Sequence, residues 1–364
     1  MKAYVAIQGH GVIEARGRSK GTTHGELVFT TAYTGYEESL TDPSYCKQVL
    51  TFSYPLIGNY GVRQERFESN KIQAEACIAR ELTDEIESWF VEENIPALDH
   101  IDTRNLVTLI RENGAMNCGI AVGNDVTPSD ATDQLSQCKG MNSYTDIGSE
   151  VSVSRPHVYN KTGNTRIALV DCGAKRGIIK SLVERNATVF RLPYDVQPEV
   201  IETISPDVLF ISNGPGNPAA YTNTIDLVKE YAGKIPIAGI CLGQQIVALA
   251  LGGDTEKMEF GHRGVNQPVR DLKDDRVVMT TQNHGYTVID SGEHLTPAQV
   301  NVNDGTVEAF ENHEMQIYTR QYHPEANPGP HDSLSFFDTV ITSATTDLVS
   351  NFEKQTRQQT ANYP

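Results

Sequence analysis

From Arg166 onward the chain repeats one pattern: a short apolar run, a stretch with helical spacing, then another apolar run. Arg166–Asp171 (RIALVD) reads as a buried parallel strand. Helical spacing follows near Ala174–Asn186. TVFRLPY over 188–194, a helical stretch near 196–204 and DVLFIS over 207–212 continue the alternation. A Gly/Pro loop, a helix near 221–232 and PIAGI over 236–240 complete it. Strands alternating with helices predict an α/β fold, a mostly parallel sheet flanked by helices. Sites in such sheets form at the carboxyl ends of strands, so chemistry is expected just after Ile211 and just after Ile240.

The first 150 residues mix periods. AYVAI, GELVFTTAY and KQVLTFSY are β-type runs broken by Gly, Pro and Asp. Asp102 to Asn113 has helical spacing, with Leu106, Leu109 and Ile110 on one face and Gly114 as a stop. This predicts an N-terminal α+β domain over 1–150. Residues 151–165 (VSVSRPHVYNKTGNT) have no sustained period and suit a linker. The α/β domain is expected over 166–352, with a polar tail over 353–364.

Composition narrows the class. The 364 residues carry 30 Lys+Arg against 47 Asp+Glu, a formal net charge of −17. That balance argues against a broad nucleic-acid or anionic-membrane face. It is spread along the chain: −10 over 1–150, +2 over 151–165 and −9 over 166–364. No apolar run approaches the ~18–20 residues of a membrane span. Gly9 and Gly11 interrupt any signal-peptide stretch. The six Cys form no C-x-x-C pair, so reduced thiols of a cytoplasmic protein are expected, with no zinc site of that kind. His262, His284, His313 and His331 make no recognisable metal spacing either.

The candidate chemistry falls where the pattern puts it. Gly239-Ile240-Cys241-Leu242-Gly243 follows a strand and opens an apolar helical run, a nucleophile-elbow pattern with Cys in the Ser position. A sulfur there sees the positive end of the helix dipole, which favours thiolate. A nucleophilic Cys needs a base, and the base a group to orient it. Gln321-Tyr322-His323-Pro324-Glu325 supplies both after an apparent strand over 315–319. Ser212-Asn213-Gly214-Pro215-Gly216-Asn217-Pro218 lacks the Lys and spacing of a P-loop. Its expected role is to offer backbone N–H groups to an oxyanion or substrate.

These three segments, in this order, resemble class I, triad-type glutamine amidotransferases. Further segments resemble the small, glutamine-hydrolysing subunits of carbamoyl-phosphate synthases. They are Thr34-Gly-Tyr-Glu-Glu38, Leu40-Thr-Asp-Pro-Ser-Tyr45, Tyr54-Pro-Leu-Ile-Gly-Asn-Tyr-Gly61, Ile101-Asp-Thr-Arg104, Phe260-Gly-His-Arg-Gly264 and Gln282-Asn-His-Gly-Tyr286. The likeness covers nearly the whole chain. It implies attack on the glutamine amide by Cys241, with His323 as base and then acid and Glu325 orienting it. It implies an oxyanion site at the N–H groups of Leu242 and Gly214. Ser44, Gly214, Gly216, Leu242, Gln245, Asn283, Gly285 and Tyr286 would hold glutamine, at a domain interface. It further implies no cofactor in this chain. Ammonia would pass to a large subunit that uses ATP, Mg and bicarbonate to make carbamoyl phosphate for arginine biosynthesis, pyrimidine biosynthesis or both. The pair would form a heterodimer or higher oligomers of it. Three positions depart from the family's usual residues: Gln244 and Gln267 stand where His is usual, and Asn217 where Asp is usual. Two other readings stay open: a divergent paralogue feeding a specialised synthase, and a catalytically weak scaffold that regulates the large subunit.

Overall fold

The computed structural model describes residues 1–345. The expected tail over 353–364, and the last residues of the second domain, lie outside the described residues.

Strands Lys2–Ile7, Gly11–Ser19, Gly21–Thr30, Gln48–Phe52, Ala76–Ile78, Ala97–Asp99 and Met116–Gly123 close into a barrel. Ala3, Val5 and Ile7 alternate along the first strand. They join Leu27, Val49, Leu98 and Ile120 in one buried cluster, as the period of two requires. The helix Thr103–Asn113 adds Leu106 and Ile110 to that cluster. Its start is fixed by the Asp102 carboxylate, which accepts from Asn105 N at 3.0 Å. The β-type runs and the helix were legible in the sequence. Barrel closure was not, because it depends on pairings between distant segments, such as Val5 with Ile120.

The second half is a ten-stranded sheet. Its centre is parallel, in the order Ala187–Pro193, Thr165–Asp171, Val208–Ile211, Ile237–Ile240 and Ile317–Arg320. The predicted helices are Arg176–Val183, Pro198–Ile204 and Thr222–Tyr231. Beyond Ile317–Arg320 the sheet continues as an antiparallel flank of Val307–Asn312, Thr296–Asn301, Asp254–Asp271 and Val277–Asp290. The sequence did not announce this flank. Register shifts between Asp254/Thr255, Lys257/His262 and Gly264/Gln267 break the alternation that would have marked it.

The segment expected as a linker is partly sheet: His157–Tyr159 pairs antiparallel with Ala187–Pro193 at the sheet edge. Of its side chains, Tyr159 alone packs against the core. His157 and Val158 are exposed, so no apolar period records the strand. The two halves are joined closely. Thr31 N donates to Arg263 O at 3.2 Å, and Arg176 N to Glu68 O at 2.9 Å. Lys257 is ion-paired with Glu26.

Candidate active site

Cys241 sits between the strand Ile237–Ile240 and the helix Leu242–Ala250. Its backbone is at φ 55°, ψ −106°, a region L residues rarely adopt. The flanking glycines make the turn possible. A Cβ on Gly239 would lie 2.8 Å from the Gly243 carbonyl, and one on Gly243 would lie 2.2 Å from Ile211 O. The helix Leu242–Ala250 therefore packs backbone to backbone on the sheet. The loop after Val208–Ile211 is equally close: a Cβ on Gly214 would lie 2.0 Å from Cys172 O and 2.9 Å from the Leu242 side chain. Gly214 and Leu242, the two expected oxyanion donors, are thus neighbours beside Cys241. The first N–H groups of a helix have no partner within it.

His323 follows Ile317–Arg320, and its N–H donates to Thr281 O at 2.8 Å. His323 Nδ1 lies 2.7 Å from Glu325 Oε1. Its Nε2 is buried and has no hydrogen-bond partner among the described residues, while the Cys241 thiol is among the groups that raise its pKa. The Cys241 sulfur lies 3.6 Å from Asn283 O. Burial of His323 disfavours its charge, but the Glu325 carboxylate outweighs that and holds the pKa well above 6.5. Glu325 is correspondingly held low: burial raises it, and Lys175 and His323 overcome burial.

Lys175 is a member of this cluster that sequence reasoning missed. It is 2% exposed. Its Nζ lies 3.0 Å from Glu325 Oε1 and donates to Ala326 O at 2.7 Å. Glu68, from the N-terminal half, completes the group. Burial lifts its pKa to about 7 against the pull of Lys175, and it accepts from Gly177 N at 2.8 Å. A signal for Lys175 existed, since it lies just past the carboxyl end of Thr165–Asp171. Glu68 had none, because only the domain contact brings it there.

The pocket in front of Cys241 is lined by Ser44, Gly214, Gly216, Gln245, Asn283, Gly285 and Tyr286, together with Glu26, Met141, Lys257 and Arg263. All eight residues expected to hold glutamine are therefore at or beside one cavity, Leu242 as the residue next to Cys241. Asp42 organises its floor across the domain boundary. It accepts from Ser44 N at 2.9 Å and from Asn283 Nδ2 at 2.9 Å, while Asn213 Nδ2 donates to Ser44 Oγ at 3.0 Å. A second cavity lies on the His323 side, lined by Ala32, Ser39, Gly264, Thr281, Asn283, His323 and Pro328. Asn283 is common to both.

The departures from the family's usual residues fall outside the pocket. Gln244 points away from the thiol: its Oε1 accepts from Thr319 Oγ1 at 3.0 Å and its Nε2 donates to Val307 O at 3.4 Å. Gln267 Oε1 accepts from Asn303 at 3.3 Å. Asn217 donates to Asn142 Oδ1 at 3.1 Å. Although they make no metal spacing in the sequence, His262, His284 and Glu308 bring ligand atoms within 4.8 Å of one another. The Gln282 amide occupies the middle of that group. Its Oε1 is 2.8 Å from His284 and 3.1 Å from His262, and its Nε2 donates to Glu308 at 2.8 Å.

A strained Cys at a strand-to-helix turn, with His and Glu on the next strand's exit, belongs to the class I glutamine amidotransferases. Residues 168–343 match the family model described as glutamine amidotransferase class-I. Residues 6–120 match the carbamoyl-phosphate synthase small chain, CPSase domain. The carbamoyl phosphate synthase small chain of Halobacterium salinarum (strain ATCC 29341 / DSM 671 / R1) is 61% identical over 342 residues, covering 94% of this chain and 96% of that one. That of Methanocaldococcus jannaschii is 41% identical over 349 residues, covering 94% and 98%. The chain belongs to the carbamoyl-phosphate synthase small chain family. Among the described residues, no helix is long and apolar enough to cross a membrane.

Proposed function

We propose that this chain hydrolyses L-glutamine and delivers the ammonia to a carbamoyl-phosphate synthase large subunit. The observation that carries this is a strained Cys241 at the wall of a polar pocket lined from both halves of the chain, with the His323–Glu325 pair, 2.7 Å apart, at the exit of the adjoining strand. Cys241 Sγ attacks the amide carbon, and its proton is held at His323 Nε2. Glu325 favours the charged ring, so that proton stays close until it is needed. The oxyanion rests on the N–H groups of Leu242 and Gly214, groups fixed before the reaction begins. Imidazolium then donates to the leaving nitrogen, the C–N bond breaks, ammonia departs and a glutamyl thioester remains. Water attacks that thioester as His323 takes its proton, the C–S bond breaks, and glutamate is released.

Ser44, Gly214, Gly216, Leu242, Gln245, Asn283, Gly285 and Tyr286 hold the amino acid's polar ends. The second cavity behind His323 supports an exit for ammonia distinct from the glutamine entrance. No cofactor takes part in this chain, and ATP, Mg and bicarbonate belong to the large subunit. The complex is a cytoplasmic heterodimer or an oligomer of it, serving arginine biosynthesis, pyrimidine biosynthesis or both.

Cys241→Ser in the complete complex tests the reading. Glutamine-dependent carbamoyl phosphate synthesis should fall at least a thousandfold while synthesis from added ammonia persists. Unchanged glutamine-dependent synthesis would refute it.

A further inference from the structure

Arg263 is the one fully enclosed cation in the glutamine pocket that has no carboxylate partner among the described residues. It is 5% exposed and lines the cavity with Cys241. Among the described residues its side chain makes one hydrogen bond, from Nη1 to Phe260 O, and its buried Nε has no partner. The nearby carboxylate, Glu26, is already engaged: Lys257 occupies one oxygen, and Gln48 Nε2 donates to the other at 2.9 Å. Arg263 thus leaves a surplus positive charge buried at the pocket wall, a costly arrangement unless an anion completes it.

Its placement shows where that anion would sit. Arg263 is the register partner of Asn283 across the antiparallel pair Asp254–Asp271 and Val277–Asp290. Opposite residues project on one face, so the guanidinium and the Asn283 amide share a wall of the pocket. Gly285 leaves it room, since a Cβ there would come within 3.1 Å of Nη2. A planar fork with free N–H groups suits a carboxylate.

We propose that Arg263 is a specificity residue that receives the α-carboxylate of the substrate amino acid. This rests on the glutaminase reading. The guanidinium supplies the missing charge complement, while the neutral groups around it orient the ligand. It predicts that the pocket discriminates against amides that lack the carboxylate.

The test uses the full chain in complex with its large subunit and compares ammonia release from L-glutamine and from 4-aminobutanamide, which is glutamine without its carboxylate. Wild type should prefer L-glutamine in kcat/KM, and Arg263→Met should shrink that preference at least tenfold, mainly through a higher KM for L-glutamine. Arg263→Lys, which keeps the charge, should retain a larger share of it. A merely structural role would lower both substrates by the same factor, and that result would overturn the proposal. Should Arg263→Met fail to fold, Arg263→Gln, which can still donate to Phe260 O, gives the same readout. Absence of glutamine hydrolysis by the wild-type complex would instead strike the glutaminase reading itself.

Discussion

Gly243→Ala tests how the nucleophile is held. A Cβ there would lie 2.2 Å from Ile211 O, 2.9 Å from Ile211 C and 3.1 Å from Ser212 O. Ordinary contact begins at 3.4 Å, so the helix Leu242–Ala250 must withdraw by about 1.2 Å. The obstacle cannot yield, because Val208–Ile211 is hydrogen-bonded to strands on both sides. Overpacking of this kind costs ~1–3 kcal/mol, of which the better helix propensity of Ala returns about 1 kcal/mol. The stability loss should therefore be small. The loss in rate should not be. Moving the helix moves Cys241 and the Leu242 N–H away from His323 and Gly214, and a displacement near 1 Å costs on the order of 10² in rate. The assay is glutaminase kcat beside thermal melting. Gly140→Ala, where nothing lies within 4 Å, is the control. A Gly243→Ala enzyme with kcat within about threefold of wild type would refute the packing argument.

Two further outcomes follow from the charges. Glu325→Gln removes the anion that raises the His323 pKa, so the imidazolium is lost at lower pH and the alkaline limb of kcat/KM should move toward acid. A pH–rate profile checks this, and an unmoved limb would count against Glu325 as the ring's electrostatic partner. Lys175→Met leaves Glu325, Glu68 and Asp42 without the buried cation they face. Removing one member of such a group costs ~3–5 kcal/mol. The deficit should shrink as the pH falls through about 7, where Glu68 takes up a proton. Chemical denaturation at pH 8 and pH 5 would reveal it, and an equal deficit at both would sever Lys175 from these carboxylates.

Much of the candidate site was legible in the sequence because its parts obey local rules. Cys241 sits in a turn that needs glycine on both sides, and Glu325 reaches His323 because only Pro324 separates them. Lys175 lay at a strand end that could have been inspected. Glu68 and Asp42 were beyond reach: each owes its role to a segment more than a hundred residues away. Asp42 bonds Asn283 across 241 positions, and no period or spacing records such a contact.

By itself, then, the sequence determined the alternation of strands and helices, the acidic and evenly spread charge, and a candidate nucleophile, base and orienter in their order. Only the tertiary structure decided that the β-type runs close into a barrel and that the parallel centre carries a long antiparallel flank. It also decided that the flank brings Arg263, Asn283 and Tyr286 over Cys241, and that a buried lysine ties the orienting carboxylate to the other domain. The physical reason is the same throughout. Backbone preference and burial act over a few residues and leave a local pattern. Charge compensation and close backbone contact depend on which distant segments meet, and that is fixed only when the chain has folded.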